Sequence, residues 1–190
     1  MEHTASVSGG SDKFNYYASF DYLDNNGLMK LAKDKFSRYA SNARINGKIT
    51  DWLSFNYAMR WTRTDFERPA NLTDNLYNDL ARQGWPILPL YDRNGYYYDA
   101  PSPALGLATG GQDGTQRDVL NQQVGLVIEP IKNWLTHVDF NYRTDSSLRH
   151  WGKQMTYQHN VAGESYVRDT SNNVHNEETK ENYFNFQAYT

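Results

Sequence analysis

Between Trp52 and Asp65 apolar and polar side chains alternate one by one, with Leu53, Phe55, Tyr57, Met59 and Trp61 on odd positions and Ser54, Asn56, Ala58, Arg60 and Thr62 on even ones. Successive side chains of an extended strand point to opposite faces, so this order gives one greasy wall and one wet wall. A helix would scatter the same residues around its circumference. Four further stretches follow the rule. Lys13–Leu23 sets Phe14, Tyr16, Ala18, Phe20 and Tyr22 against Asn15, Tyr17, Ser19 and Asp21. Phe36–Ile49 sets Tyr39, Ala43, Ile45 and Ile49 against Arg38, Asn42, Arg44, Asn46 and Lys48. Asp118–Glu129 sets Leu120, Val124, Leu126 and Ile128 against Asn121, Gln123 and Glu129. Trp134–Asp145 sets Trp134, Val138, Phe140 and Tyr142 against His137, Asp139, Asn141 and Arg143. With shorter pieces at 3–9 and 183–190, the expectation is seven antiparallel strands in an all-β, up-and-down chain.

Two kinds of protein use such walls. In a soluble sandwich the greasy faces are Val, Ile and Leu closed on a core; here they are rich in Tyr, Phe and Trp, often near strand ends. Mean hydropathy is -0.84 while aromatics make up 15% of the 190 residues. That pairing suits a transmembrane β-barrel, whose strands face lipid on one side and a wet lumen on the other, with aromatic girdles at both interfaces. A Tyr-rich soluble β-sheet domain that binds glycans is the alternative. The net charge of -3 and scattered Lys and Arg give no electrostatic case for nucleic acid. Without cysteine there is neither a disulfide framework nor a thiolate metal site.

The connections alternate between short and long. Gly10–Asp12, Thr50-Asp51 and Pro130–Asn133 read as tight turns, whereas Asp24–Lys35, 67–117 and 146–182 are long. Outer-membrane barrels show this asymmetry, with short periplasmic turns and long extracellular loops. Ile49-Thr50-Asp51-Trp52-Leu53-Ser54 is echoed by Ile131-Lys132-Asn133-Trp134-Leu135-Thr136, a turn-forming Asp or Asn followed by a Trp suited to the headgroup level. In the first very long loop, Thr73 or Asp74 is expected to cap a short helix through Ala81, ended by Gly84. Asp92-Arg93-Asn94-Gly95 should turn, Gly106–Gly114 reads as flexible, and the second loop has room for strand extensions and a hairpin around Ala162-Gly163.

Catalytic constellations are lacking, and the expectation is a protein that is not an enzyme and needs no cofactor. His137 and Asp139 share a strand face, but lumen polarity accounts for them; Asp65 with Glu67 and Glu177 with Glu178 read as solvated charge rather than paired catalytic carboxylates. No Gly-Lys-Ser/Thr follows Gly9-Gly10 or Gly110-Gly111, so neither is a phosphate loop. The substrate-binding candidates are loop aromatics, Trp85, Tyr91, Tyr96, Tyr97 and Tyr98, whose flat faces can stack on sugars or pack peptide side chains.

Several motifs, in order, resemble the SusC/RagA-type TonB-dependent transporters: Ala5-Ser6-Val7-Ser8-Gly9-Gly10-Ser11-Asp12-Lys13, Tyr16-Tyr17-Ala18-Ser19, Asp24-Asn25-Asn26-Gly27-Leu28, Phe36-Ser37-Arg38-Tyr39, Lys48-Ile49-Thr50-Asp51-Trp52-Leu53 and Pro89-Leu90-Tyr91-Asp92-Arg93-Asn94-Gly95-Tyr96. The resemblance runs from about Ser6 to about Tyr142. It implies a large barrel in the outer membrane of a Gram-negative, Bacteroidetes-type bacterium, importing oligosaccharides or peptides. A SusD-like surface lipoprotein would act as its lid and the TonB complex as its energy source. No leader of basic then apolar residues opens the chain, and the N-terminal plug and TonB box of that family are absent. The expectation is therefore a barrel segment of a longer protein, inactive in transport by itself.

Overall fold

The computed structural model describes residues 1–72, 87, 89–98 and 103–190. Its main feature is one seven-stranded antiparallel sheet ordered β1-β2-β3-β4-β5-β6-β9. The strands are β1 (Glu2–Ser11), β2 (Phe14–Asn26), β3 (Lys35–Lys48), β4 (Leu53–Pro69), β5 (Gly111–Ile131), β6 (Trp134–Lys153) and β9 (Asn173–Tyr189). A separate hairpin, β7 (Thr156–His159) with β8 (Ser165–Asp169), interrupts the connection between β6 and β9. Among the described residues one helix, α1 (Ala104–Thr109), lies just before β5. The fold is thus the expected all-β meander of up-and-down hairpins.

Turn chemistry fixes the short ends. Asp12-Lys13 joins β1 to β2, and the β3–β4 turn is closed by bonds from the Ile49 and Thr50 amides to the Leu53 carbonyl, at 2.9 and 3.1 Å. At the β5–β6 turn Asn133 sits in the left-handed region (φ 70), which Asn tolerates better than most residues, and its amide donates to Glu129 Oε1 at 2.9 Å.

Strand lengths depart from the sequence reading in one direction. β5 begins at Gly111 rather than at 118, β6 runs on to Lys153, and β9 begins at Asn173 rather than at 183. These extensions carry no greasy alternation; the ladder itself holds them, since Gly111 through Arg117 pair with β4 and β6, and Asn173 through Asn182 pair with β6. The stretch 106–114, expected to be flexible, is instead the end of α1 and the start of β5. Leu105 and Leu107 are buried there, and the Asn71 amide donates to the Gly106 carbonyl at 3.0 Å. The expected hairpin around Ala162-Gly163 is β7–β8, with Gly163 at φ 85. The helix expected from 73 to 81 lies outside the described residues.

No second layer packs on the sheet among the described residues. Among the described residues the buried hydrophobic side chains are Ala104, Leu105 and Leu107, all in α1. The greasy wall remains open, with Phe14 at 41%, Phe140 at 42% and Phe186 at 65% exposure.

Candidate functional site

Register turns seven separate alternations into two continuous faces. Phe14, Gly47, Phe55, Leu126 and Val138 follow one another across neighbouring strands, and above them Tyr16, Ile45, Tyr57, Val124, Phe140 and Phe186 do the same. This outer face is mainly apolar from the tight turns upward to Tyr22 and Tyr39, whose rings lie 5.0 Å apart, and to Trp61 and Leu120; Ser41, Gln122, Thr136, Thr144 and Asn182 are uncharged polar residues within it. Above that line the same face becomes charged. Arg63 makes two bonds to Asp118, at 2.8 and 2.9 Å, and Lys35 reaches Asp24 at 3.0 Å. Trp61 straddles the border, with its indole N–H donating to Asp118 Oδ1 at 3.2 Å. Burial pushes the Asp118 carboxyl up, but donation from Arg63, Gln116 and Trp61 outweighs it and leaves the group below the usual carboxylate range.

The apolar stretch of β4, Leu53 through Trp61, is nine residues long. At ~3.3 Å per residue and a tilt of about 45°, it rises roughly 20 Å, near the ~25 Å of a barrel's lipid-facing band.

The opposite face is mainly polar, with Leu23, Phe36, Phe66, Val119 and Val127 as apolar exceptions toward its ends. Ser19, Asn42, Arg60, Asn121, Arg143 and Tyr183 form one row across β2 to β9; Tyr17, Arg44, Ala58, Gln123, Asn141 and Asn185 form the next row down. Residues of both rows line one open cavity of about 700 Å³ that extends from Tyr17 of β2 to Tyr183 of β9. Six strands can share a cavity only if the sheet curls round it, so this is the inner, concave wall. Asn42 donates to Ser19 Oγ at 3.1 Å, which ties adjacent strands across the cavity floor.

From the upper edge of the cavity, where Arg143 lines it, the inner face carries two Arg–Asp–Arg clusters. Arg117 and Arg143 grip Asp145 at 2.6 and 3.0 Å, with Arg117 the larger influence in holding that carboxyl down at about 2. Arg149 and Arg68 grip Asp113 at 2.9 and 3.0 Å; Arg149 foremost lowers its pKa, against the effect of burial. Arg149 also lies over the Trp151 ring at 5.8 Å, and Trp151 stacks on His175 at 4.1 Å.

The loop aromatics form a small structure of their own. Tyr91 and Tyr97 pair as a β-bridge with rings stacked at 5.0 Å, and the hydroxyl bond between them, with burial, raises the Tyr97 pKa. The expected turn between them is present. Asp92 Oδ1 accepts the Asn94 and Tyr96 amides at 2.8 and 3.0 Å, and Gly95 has φ 85. The β7–β8 turn repeats this design with Asn160, whose Oδ1 accepts the Ala162 and Glu164 amides at 2.9 Å each. The two turns dock, with Tyr96 stacked on His159 at 3.6 Å and Asn94 Nδ2 donating to the Asn160 carbonyl at 3.5 Å. Tyr98 joins the same loop through its amide, which donates to the Leu90 carbonyl at 3.0 Å. Trp85 lies outside the described residues. Tyr91, Tyr96 and Tyr97 thus come together, but their rings are engaged with one another and with His159.

The two carboxylate pairs are placed differently: Asp65 and Glu67 share the outer face of β4, whereas Glu177 and Glu178 do not share a face. Glu177 faces Arg149 on the inner wall and Glu178 lies opposite Leu148 on the outer face, so they point apart. Glu67 reaches Lys33 at 3.6 Å, and His137 stacks on Tyr189 at 5.0 Å. Arg44, Arg60 and Arg143 were visible in the sequence as polar members of the alternation, yet only register shows that they share one cavity. No family model matches this chain, and no curated protein does either.

Proposed function

We propose that this chain is part of the wall of a transmembrane β-barrel, in an outer-membrane transporter of the TonB-dependent, SusC/RagA-like kind that takes up oligosaccharides or peptides. The observation that carries the reading is the outer face, uncharged and mainly apolar for about one bilayer's height above the tight turns and then charged and ion-paired on the same face. A water-soluble sheet has no reason to change character along its length. Lipid supplies one, because the hydrocarbon ends where the headgroups begin.

The sheet's edges set the rest of the proposal. Among the described residues β1 and β9 each pair on one side only. Unpaired backbone groups cost several kcal/mol each in hydrocarbon, and only closed barrels avoid them. Further strands must therefore pair with β1 and β9 to close the wall. Transport, a SusD-like lid and TonB coupling belong to that complete assembly, and its site is the outer membrane.

The chain contains no cysteine, so single cysteines introduced along β5 make a clean test. In the protein reconstituted in vesicles, positions 120, 124, 126 and 128 should resist a water-soluble maleimide and be quenched by brominated lipid. Positions 121 and 123 should label from the lumen, and 116 and 118 from outside. Uniform labelling of both faces refutes the membrane wall. Uptake of labelled oligosaccharide by cells, lost on collapsing the proton gradient, tests transport separately.

A further inference from the structure

We propose that Arg44 and Arg60 are the anion-accepting pair of a solute site on the inner wall, and that the solute is an acidic oligosaccharide carrying uronic-acid carboxylates. This rests on the reading of the inner face as a wet lumen. The inner face of the described sheet carries seven arginines, and five have acidic partners: Arg38 with Glu2 at 4.0 Å, Arg117 and Arg143 with Asp145, Arg68 and Arg149 with Asp113. Among the described residues no ion pair reaches Arg44 or Arg60. They are also diagonal neighbours, since Arg44 lies opposite Ala58 and Arg60 opposite Asn42 on adjacent strands. Like charges so placed repel, and the small Ala58 leaves the space between them open.

The cavity around them suits one kind of anion. None of the side chains lining it is acidic. Planar guanidinium forks match carboxylates in two parallel hydrogen bonds. Asn42, Asn121, Gln123 and Asn141 surround the pair with both donors and acceptors, the complement of vicinal sugar hydroxyls. Tyr17 and Tyr183, 44% and 60% exposed, present rings at the two sides of the cavity. An inorganic anion would engage the arginines and leave the carboxamides and rings idle, and an acidic peptide offers no ring of hydroxyls.

The test uses the intact protein extracted from membranes, with calorimetric titration of tetragalacturonate, neutral maltotetraose and tetraglutamate. Tetragalacturonate should bind best, with affinity falling as salt rises. Arg44→Gln and Arg60→Gln should each weaken it about tenfold or more, the size of a lost charge-assisted bond; Arg44→Lys, which keeps charge but not the fork, should fall between. The proposal is overturned if tetragalacturonate does not bind, if the Gln variants bind it as well as the parent, or if tetraglutamate is preferred. It is also overturned if the variants fail to fold, for then the arginines are held by carboxylates elsewhere in the protein. The cysteine labelling separates the two levels: a preserved face pattern with no binding removes only this site, whereas a lost pattern removes the barrel itself.

Discussion

Val124 occupies the middle of the apolar band. It lies four residues from Ile128 near the turns and four from Leu120 at the charged border, flanked in register by Tyr57 and Phe140. Each border is therefore ~13 Å away along the strand and about 9 Å in height at a tilt near 45°. An arginine placed there cannot bring its guanidinium fully to the headgroups, and at a barrel's midplane such a substitution costs about 2–4 kcal/mol. Val124→Arg should thus lower the folding constant in phospholipid vesicles by roughly 30- to 900-fold, since ~1.4 kcal/mol is a factor of ten. Two controls isolate the cause. Gln123→Arg, the next residue but on the inner wall, adds a like charge diagonal to Arg60 and Arg143 yet faces water, and should cost about 1 kcal/mol or less. Gln116→Arg shares the outer face with Val124 but stands in the charged zone, and should cost about 0–1 kcal/mol. Denaturant titration in vesicles, followed by tryptophan fluorescence and by heat-dependent gel migration, reads all three. If Val124→Arg costs no more than Gln123→Arg, the outer face does not meet lipid and the reasoning fails.

In the Arg117–Asp145–Arg143 cluster Asp145 and Arg117 lie above the apolar band, and the depressed Asp145 carboxyl gives a signed pH dependence. The folded pKa of about 2 is below the unfolded value, so the stabilisation is present above about pH 4 and disappears as pH falls toward 2. Asp145→Asn should remove that slope from acid-unfolding curves, and an unchanged slope would place its origin elsewhere. Asn133→Val at φ 70 should cost about 1–2 kcal/mol in urea unfolding, whereas Asn133→Gly should be neutral or slightly stabilising. Tyr96→Ala removes the stack on His159, worth about 0.5–1.5 kcal/mol, and should speed hydrogen exchange in residues 156–169 while leaving β5 unaffected.

How far the sequence carried depends on where the side chains do the folding. Leu53–Trp61 could be read directly because lipid or core demands apolar residues at every second place, and the structure keeps that parity across the sheet. The upper parts of β5 and β9 were hidden, because segments such as Gly111–Arg117 are strands only through hydrogen bonds to neighbours, which leave no mark on composition. The residues 106–114 misled for a related reason: the glycines suggested flexibility, while burial of Leu105 and Leu107 decided the local structure. At the candidate sites, the cluster Tyr91, Tyr96 and Tyr97 was plain, but not its partner His159, some sixty residues on. Arg44 and Arg60 were equally visible as residues. Their distinction, that five companions have found acids and they have not, exists only across strands.

The meander order of the sheet has a consequence for how such a wall changes size. Each strand pairs with its predecessor, β9 with β6 around an inserted hairpin, so a gene segment encoding two strands can be copied or lost without re-threading the remainder. Each such step alters the circumference by about 10 Å, two strand spacings of ~4.8 Å, and returns the chain to the same rim. The twin turns at Ile49–Ser54 and Ile131–Thr136, both on the short-turn rim, are the kind of trace that duplication leaves. In a barrel built on the proposed plan, width can then evolve in discrete increments, separately from the loops that decorate the opposite rim.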